Sequence, residues 1–233
     1  MAISYRLLRY GILGSTNDFV KRRYKGLPHC AVVVADSQTR GRGRFDRKWH
    51  SGKGGLWFSV LFRHKDASRS FLLNFAAAAS VASVLRSIGI PAVVKWPNDV
   101  LVGGRKICGI LSENIIQGKS VWSVVGIGLN VNNRVPLNSA TSVKMELGKD
   151  VGKESLLKKI LSCYSRYLSA YNKRNDKIII SAWCRYWQSR GKKVRVHTVH
   201  GDVKGTANSI GSEGSLFIKS RGKLVKIVEG DVF

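Results

Sequence analysis

The sequence predicts an α+β fold, with a mainly antiparallel mixed sheet, packed helices and a small β-barrel at the C-terminus. Three observations support this prediction. Short apolar runs follow one another through tight turns, which is typical of antiparallel strands. The helical patterns lie apart from these runs instead of alternating with them. From residue 191 onward, glycines recur between short apolar runs, which is typical of a small barrel.

The length of 233 residues allows one sizeable domain and a small one, and an apolar content of 44% is enough for packed cores. We place the boundary near Arg190, where helical spacing gives way to short runs separated by glycine. The prediction is a larger domain over residues 1–190 and a smaller β domain over residues 191–233.

The elements of the larger domain follow from its patterns in chain order. Ser15-Thr16-Asn17-Asp18 offers the short oxygen side chains of a helix start, and the basic run Lys21-Arg22-Arg23 suits its end. The β-branched run 31–35 predicts a buried strand. By the same reasoning, further strands are predicted over 56–62, 92–96, 100–102, 106–114 and 121–131, and further helices over 71–88, 153–168 and 176–188.

The charge of the chain limits its function classes. A formal net charge of +26 suits binding to nucleic acid, because lysine and arginine neutralise phosphates. The basic residues are nevertheless scattered along the chain, without a separate basic arm, a zinc-finger spacing or a recognisable helix-turn-helix segment. A nucleic-acid-binding protein is therefore kept as an alternative class, with DNA a disfavoured partner. A basic proteome or an acidic protein partner would explain the same charge.

Cysteine spacing and hydropathy bound the cellular context. The four cysteines lie far apart with no Cys-x-x-Cys pair, which argues against a zinc cluster. The N-terminus lacks the apolar region of a signal peptide. The longest apolar stretch, 71–85, is shorter than the roughly 20 residues of a membrane span and reads as a buried helix. These features predict a reduced, cytoplasmic protein without a membrane anchor.

The loop 39–49, Thr-Arg-Gly-Arg-Gly-Arg-Phe-Asp-Arg-Lys-Trp, is the most informative segment for function. Gly41 and Gly43 let cations approach a small anion closely, because they carry no Cβ. Guanidinium groups pair with carboxylate or phosphate through a planar two-donor fork. Trp49 offers a flat face to a base. The loop therefore indicates a bound nucleotide or acid anion.

Two lysine-containing segments carry further candidates. Lys95-Trp96-Pro97-Asn98-Asp99 fits a triphosphate and metal site, with Lys95 on phosphate and Asn98 and Asp99 near Mg²⁺, and it fits a structural turn equally well. Lys106 begins an otherwise apolar strand. It is either an ordinary solvated lysine or a cation that stabilises charge on a reacting phosphate or carboxylate.

Other segments have weaker signals. Gly126 and Gly128 lie inside a strand, which indicates close approach of a ligand or backbone, although the spacing is not that of a dinucleotide fingerprint. Ser15-Thr16 and Gln38 could hydrogen-bond a polar ligand, while capping and loop bonding are their commoner roles. The sequence has no nucleophile elbow, P-loop or paired carboxylates, so covalent catalysis through the protein is not indicated.

Taken in this order, these segments resemble the biotin protein ligase family. The matching pieces are Ser15-Thr16-Asn17, Gln38, the loop 41–44 with Trp49, 95–99, 105–111 with Glu113, and 126–130. The resemblance covers nearly the whole chain. It implies the catalytic fold of that family, which is similar to class II aminoacyl-tRNA synthetases, with an SH3-like C-terminal domain. It also implies the short class that lacks an N-terminal DNA-binding domain.

The resemblance implies an ATP-dependent, AMP-forming ligase. The carboxylate of biotin attacks the α-phosphate of Mg·ATP to give biotinyl-5′-AMP, and a lysine of a biotin carboxyl carrier protein of acetyl-CoA or a related carboxylase then displaces AMP. Biotin, ATP and Mg²⁺ are thus the implied ligands, and a homodimer is a possibility that the family allows. Lipoate and octanoyl ligases or transferases share the fold and are the nearest alternative, but they lack this Arg/Gly loop.

The resemblance also implies roles for individual residues. Lys106 is the main catalytic cation, with Arg44 and Lys95 as further cations, and Trp49 stacks on adenine. Asn98 and Asp99 lie near Mg²⁺. The residues implied to bind biotin or ATP are Ser15, Thr16, Asn17, Gln38, Gly41, Arg42, Gly43, Arg44, Arg47, Trp49, Trp57, Ser59, Asn98, Lys106, Gly109, Gly126, Gly128 and Asn130. The loop is expected to order over the adenylate and shield it from water.

The loop departs from the family pattern at Phe45-Asp46, where the family has Arg-Gly. Pairing of Asp46 with Arg44 or Arg47 would lower the local positive potential and so affect retention of the intermediate. After Ser51, the run Gly52-Lys53-Gly54-Gly55 replaces a usual proline and predicts a looser hinge.

Overall fold

The computed structural model describes residues 4–135 and 138–233, apart from the side chain of Asp46. The strands of this part of the chain are β1 (Arg6–Leu13), β2 (Ala31–Gln38), β3 (Leu56–His64), β4 (Val93–Lys95), β5 (Asp99–Val102), β6 (Arg105–Gln117), β7 (Ser120–Leu129), β8 (Lys193–Thr198), β9 (Gly201–Ile210), β10 (Leu216–Ser220), β11 (Lys223–Ile227) and β12 (Asp231–Val232). Its helices are α1 (Thr16–Arg23), α2 (Ser70–Ser87), α3 (Val143–Leu147), α4 (Lys153–Asn172) and α5 (Asp176–Arg185). Short 3₁₀ turns cover Arg44–Asp46 and Ala67–Arg69.

The strands form two sheets. The first has seven strands in the order β1-β2-β3-β7-β6-β5-β4, and the second has five in the order β11-β10-β9-β8-β12. In the first sheet β1 and β2 run parallel, and the other neighbouring pairs run antiparallel. The predicted α+β fold with a mainly antiparallel mixed sheet is confirmed. The second sheet is antiparallel throughout, and its SH3-like topology stays a prediction.

Helix α2 is the central element of the core. It packs against α4, α5 and the strands of the first sheet, and its alanine run 76–79 is fully buried. The small side chains allow this close packing. By length and composition the segment Ala67–Ser87 is apolar enough to cross a membrane, yet most of it is buried inside the protein. The expectation of a buried helix over 71–85 is thus confirmed.

Helix α1 covers the opposite face of the first sheet. It lies against β2, β3 and β7, and its Phe19 and Val20 pack with Val33 in a second apolar cluster. Val32 and Val34 belong to the main cluster instead, because successive side chains of a strand point to opposite faces. This arrangement places the start of α1 over the middle of the sheet.

Several elements differ from the sequence prediction. Helix α3 is not among the predicted helices, and α4 continues to Asn172, beyond residue 168. Strand β1 is not among the predicted strands, because it pairs only with β2 and interrupts its apolar residues with Arg6, Arg9 and Gly11. Helix α5 ends at Arg185, not at residue 188, because the chain turns there to pair with β4. Val94 donates its N–H to Tyr186 O at 2.8 Å, and Gln188 N–H donates to Val94 O at 3.1 Å.

The second sheet packs directly on the part of the protein that is formed by the first sheet and its helices. The indole Nε1 of Trp96 donates to Gly214 O at 2.9 Å, and Gly214 lies against the ring of Phe71. Gly191 adopts a φ of 75° just before β8 begins at Lys193. This turn lies next to the predicted domain boundary, which itself stays a prediction. The packing brings strand β12 close to the Arg/Gly loop.

Candidate active site

The first sheet, the start of α1 and the loop 39–49 together enclose a cavity of about 220 Å³. Strands β6 and β7 form its floor, and strand β12 reaches its rim. The residues that line it are Ser15, Thr16, Asn17, Gln38, Arg42, Gly43, Arg44, Arg47, Lys48, Trp49, Asn98, Asp99, Lys106, Gly109, Ile110, Leu111, Gly126, Ile127, Gly128 and Asp231. Most of the site residues predicted from the sequence therefore meet in one place.

The beginning of α1 forms a polar wall of the cavity. Ser15 caps the helix, as predicted, by accepting a hydrogen bond from the N–H of Asp18 at 3.4 Å. Gln38 Oε1 accepts from the backbone N–H of Thr16 at 2.8 Å and from its hydroxyl at 3.1 Å. Gln38 Nε2 in turn donates to Ser51 Oγ at 2.8 Å. These bonds fix the orientation of the Gln38 amide and of the positive end of the helix dipole.

Three glycines open the floor of the cavity. A Cβ on Gly128 would lie 2.9 Å from Cε2 of Trp49, and one on Gly109 would lie 3.1 Å from Cε of Lys106. A Cβ on Gly126 would lie 2.9 Å from Cγ of Asn17. The sequence indicated that a ligand or a backbone segment comes close to Gly126 and Gly128. In the structure the side chains of Asn17 and Trp49 lie directly on these two glycines, because no Cβ keeps them away.

Lys106 carries the positive charge nearest the floor. Its Nζ lies 2.6 Å from Oδ1 of Asp99, and it lies 5.2 Å from the ring centroid of Trp49. Both charged side chains are largely buried, with exposed fractions of 32% for Lys106 and 15% for Asp99. An ammonium held this way can shift toward an arriving anion without crossing bulk solvent.

Arg42 belongs to a network of charges below the loop. Its Nη2 donates to Asp18 Oδ1 at 2.6 Å and to Glu113 Oε1 at 3.0 Å, while Lys21 donates to Glu113 at 2.6 Å. Burial alone would raise the pKa of Glu113, but the hydrogen bonds from Lys21, Asn17 and Arg42 outweigh it and hold that pKa below its usual value. Glu113 therefore stays ionised and holds Arg42 in one orientation.

Two nitrogen atoms of the lining are buried without a hydrogen-bond partner in the described part of the chain. These are Nε of Arg42 and Nε1 of Trp49. Buried polar groups are almost always hydrogen-bonded, and an exception needs a reason. Both atoms belong to residues that line the same cavity.

The tip of the loop is a short turn. Phe45 adopts the left-handed conformation at φ 54° and ψ 41°, and its ring lies between the guanidinium groups of Arg44 and Arg47, at 4.6 and 5.6 Å. Both arginines also form ion pairs with Asp231 of β12. The predicted pairing of Asp46 lies outside the described residues.

Five predicted site residues do not line the cavity. Trp57 is fully buried and donates Nε1 to Gly52 O, and Ser59 is fully buried beneath Thr16 and Asn17. The other three are Gly41, which lies against Ser51 and Gln38, Asn130, whose amide donates to Thr141 O, and Lys95, whose Nζ lies 5.7 Å from the ring of Phe233. Ser59 supports the polar wall from beneath, because its hydroxyl contacts the side chains of Thr16 and Asn17.

Sequence reasoning missed several lining residues. Ile110, Leu111 and Ile127 gave no signal beyond core propensity. Leu111 lies on the same face of its strand as Gly109, whereas Ile110 and Ile127 point to the other face of the sheet and pack in the main apolar cluster. Lys48 lies inside the recognised loop. Asp231 gave no local signal at all, because it comes from the second sheet and meets the loop only through the fold.

The comparisons with known proteins agree with this geometry. The model of the biotin/lipoate A/B protein ligase family matches residues 11–130 of this chain. The chain belongs to this family. The matched segment contains α1, the Arg/Gly loop, Lys106 and the glycines of the floor, and it therefore holds nearly all of the cavity lining.

Sequence relatives within the family carry ligase names. The chain is 33% identical over 97% of its length to the bifunctional ligase/repressor BirA of Bacillus subtilis, of which it spans 73%. It is 32% identical over 94% of its length to the biotin--[acetyl-CoA-carboxylase] ligase of Mycobacterium tuberculosis, spanning 85% of that protein. It spans 57% of the biotin--protein ligase 1 of Arabidopsis thaliana, at 28% identity over 83% of its own length.

A solved structure matches over the whole fold. The biotin protein ligase from Aquifex aeolicus in complex with biotin and ATP has a TM-score of 0.84 and 28% identity, with 98% of this chain and 97% of that chain covered. The agreement includes the second sheet, since nearly the entire chain is aligned.

Proposed function

We propose that this protein is a biotin protein ligase, which activates biotin with ATP to biotinyl-5′-AMP and transfers biotin to a carboxylase. The convergence of the Arg/Gly loop, Lys106 and the glycine floor on one cavity carries the proposal. Family membership supports it, as do relatives named biotin--[acetyl-CoA-carboxylase] ligase and a matching structure that holds biotin and ATP.

The polar wall and the apolar strands suit the two ends of biotin. We assign the ring system of biotin to the polar wall formed by Thr16 and Gln38. Leu111 would pack against the apolar parts of the molecule, and Arg42 Nε would donate to one of its acceptors. The carboxylate would then approach Lys106.

Lys106 is the proposed catalytic cation. As the carboxylate attacks the α-phosphate, negative charge builds on the phosphate, and a buried ammonium beside it stabilises that charge more than water would. The ion pair with Asp99 holds the Lys106 ammonium in place before ligands arrive. Arg44, Arg47 and Trp49 would hold the nucleotide from the loop side. Lys95 and Asn130 stay predicted contacts of ATP that lie beyond the present lining.

Magnesium is proposed to arrive with ATP. Asn98 and Asp99 would hold it together with phosphate oxygens and water, which is the usual environment of Mg²⁺ on a nucleotide. The donor set fits this use, because Asn98 donates its Nδ2 to Ile110 O and so keeps its amide oxygen as an acceptor. In the described residues no group of three His, Cys, Asp or Glu is placed to hold a metal alone. The ion would neutralise charge on the phosphates.

The partner is proposed to be the biotin carrier protein of acetyl-CoA carboxylase or a related carboxylase. A lysine of that protein would attack the mixed anhydride in the second step and release AMP. A homodimer stays a prediction.

The test is incubation of the protein with ATP, Mg²⁺ and a carrier domain, with biotin in one sample and lipoate in another. The mass of the carrier is then measured. We expect the addition of one biotinyl group and no lipoylation. Lipoylation without biotinylation would instead support the lipoate alternative, and an unmodified carrier in both samples would contradict both proposals.

A further inference from the structure

Strand β12 contributes a carboxylate to the rim of the cavity, and this carboxylate contacts two arginines of the loop. We propose that Asp231 is a positioning residue, which docks the Arg/Gly loop on the second sheet through Arg44 and Arg47. The second sheet thereby becomes part of the active site. The inference rests on the proposed ligase function, because it assigns the docked loop to the retention of biotinyl-5′-AMP.

The geometry uses both oxygens of one carboxylate. Oδ1 of Asp231 lies 3.2 Å from Nη1 of Arg44, and Oδ2 lies 2.7 Å from Nη1 of Arg47. Arg44 also donates to Gly230 O at 3.1 Å. The Arg44 and Asp231 side chains are exposed by only 19% and 18%. Their ion pair is thus partly shielded from water and salt, unlike the pair with Arg47, whose side chain is 63% exposed.

Asp231 stands on a fixed part of the chain. It pairs with His197 of β8 in the second sheet, the adjacent Val232 is buried, and Phe233 exchanges backbone hydrogen bonds with Arg195 at 2.7 and 3.0 Å. A Cβ on Gly230 would lie 2.6 Å from His197 O, so the chain packs tightly just before the carboxylate. The anchor is therefore more rigid than the loop it holds.

The tip of the loop, Arg44–Asp46, is the part that Asp231 holds. It is closed by hydrogen bonds from Gly43 N–H to Arg47 O at 2.7 Å and from Arg47 N–H to Arg44 O at 3.2 Å. Phe45 adopts a left-handed conformation that is unfavourable for a side chain, and its ring is 50% exposed, so burial does not compensate. Through Arg44 and Arg47, the contacts with Asp231, Gly230 and Glu229 connect this turn to the second sheet.

A guanidinium has five N–H donors, and Asp231 and Gly230 use one nitrogen of Arg44. The remaining donors can therefore bind an anion while the ion pair persists. This is how Asp231 acts through Arg44: it holds the guanidinium over the place where the adenylate forms. Loss of the carboxylate would let the loop open more often, and biotinyl-5′-AMP would escape before transfer.

Three variants test the inference. Asp231→Asn removes the charge at nearly constant shape, and Asp231→Glu restores it. Glu229→Gln is the matched control, because it removes a charge from the same segment at 3.7 Å from Arg44, where the carboxylate is 59% exposed. The first readout needs no ligand and is the rate of tryptic cleavage within residues 40–48. The second is the rate at which biotinyl-5′-AMP is released in the absence of a carrier.

We expect Asp231→Asn to raise both rates about tenfold, the scale of one lost charge-assisted hydrogen bond. Asp231→Glu should recover most of the difference, and Glu229→Gln should stay within about twofold of the wild type on the same scale. In an Arg44→Gln background, Asp231→Asn should raise the release rate by a smaller factor than it does in the wild type, because part of its effect passes through Arg44.

Wild-type rates in Asp231→Asn would overturn the inference, and so would full additivity with Arg44→Gln. The two proposals fail differently. If the wild type forms no biotinyl-5′-AMP, the ligase function fails while the cleavage rates still test the docking. If it forms the adenylate and Asp231→Asn releases it at the normal rate, the function stands and the role of Asp231 does not.

Discussion

A substitution at Gly128 tests whether the floor of the cavity sets the position of Trp49. In Gly128→Ala the new Cβ would lie 2.9 Å from Cε2 of Trp49 and closer still to its Nε1, whereas ordinary contact begins at 3.4 Å. The indole must therefore move by about 1 Å, since the strand beneath it is held on both sides by β3 and β6. Trp49 is part of the loop, so the loop moves with it.

A displacement of about 1 Å at a positioning group can cost about 100-fold in rate. We therefore expect kcat/KM for adenylation of biotin to fall about 100-fold in Gly128→Ala. The free energy of unfolding should change by less than about 1 kcal/mol, because an alanine in a strand also reduces the entropy of the unfolded chain. Pyrophosphate release measures the first quantity and urea denaturation the second.

Gly11→Ala is the matched control. Gly11 also lies in a strand of the first sheet, but a Cβ there meets no atom within 4 Å. Its kcat/KM should equal that of the wild type. If Gly128→Ala kept kcat/KM within about threefold of the wild type, the claim that the floor of the cavity sets the position of Trp49 would be refuted.

Three further predictions concern charges. Lys106→Ala should lower the adenylation rate by about 10²–10³-fold, as for loss of a charge-stabilising donor, and an unchanged turnover would refute its role. Because it leaves Asp99 unpaired, it should also cost about 1–3 kcal/mol of stability, which Asp99→Asn in the same chain should recover without recovering activity. Arg44→Gly should release biotinyl-5′-AMP faster than the wild type, and a normal release rate would count against loop closure. Burial lowers the pKa of His64 and of His29 below the usual 6.5, so the unfolded chain binds their protons first and stability should fall as pH drops below about 6.5. Urea midpoints between pH 7.5 and 5 measure this, and His64→Gln should flatten the profile.

The sequence predicted the local parts of the fold well. The helix start at Ser15, the core helix α2 and the hairpin strands were all readable, because each has a period or a capping residue that depends on near neighbours. Strand β1 was not readable, since an edge strand with one partner needs no continuous apolar run. The end of α5 also depended on a partner, the backbone of β4.

The candidate site also contains residues that local motifs reveal and residues that only the fold brings together. Residues in compact motifs, such as Arg42 and Lys106, meet in the cavity as the resemblance implied. Trp57 and Ser59 lie one layer below it, because a strand position fixes the face of a side chain but not its depth beneath neighbours from α1. The sequence pattern gave no indication of a role for Asp231, because its partners Arg44 and Arg47 lie nearly two hundred residues earlier in the chain. Only the packing of the second sheet brings them together.

The most direct test of the central claim is biotin-dependent exchange of labelled pyrophosphate into ATP, measured without a carrier protein. This measures the first half-reaction at the cavity itself. We expect exchange with biotin, none with lipoate or octanoate, and loss of exchange in Lys106→Ala. Exchange that required lipoate or octanoate, or that survived unchanged in Lys106→Ala, would contradict it.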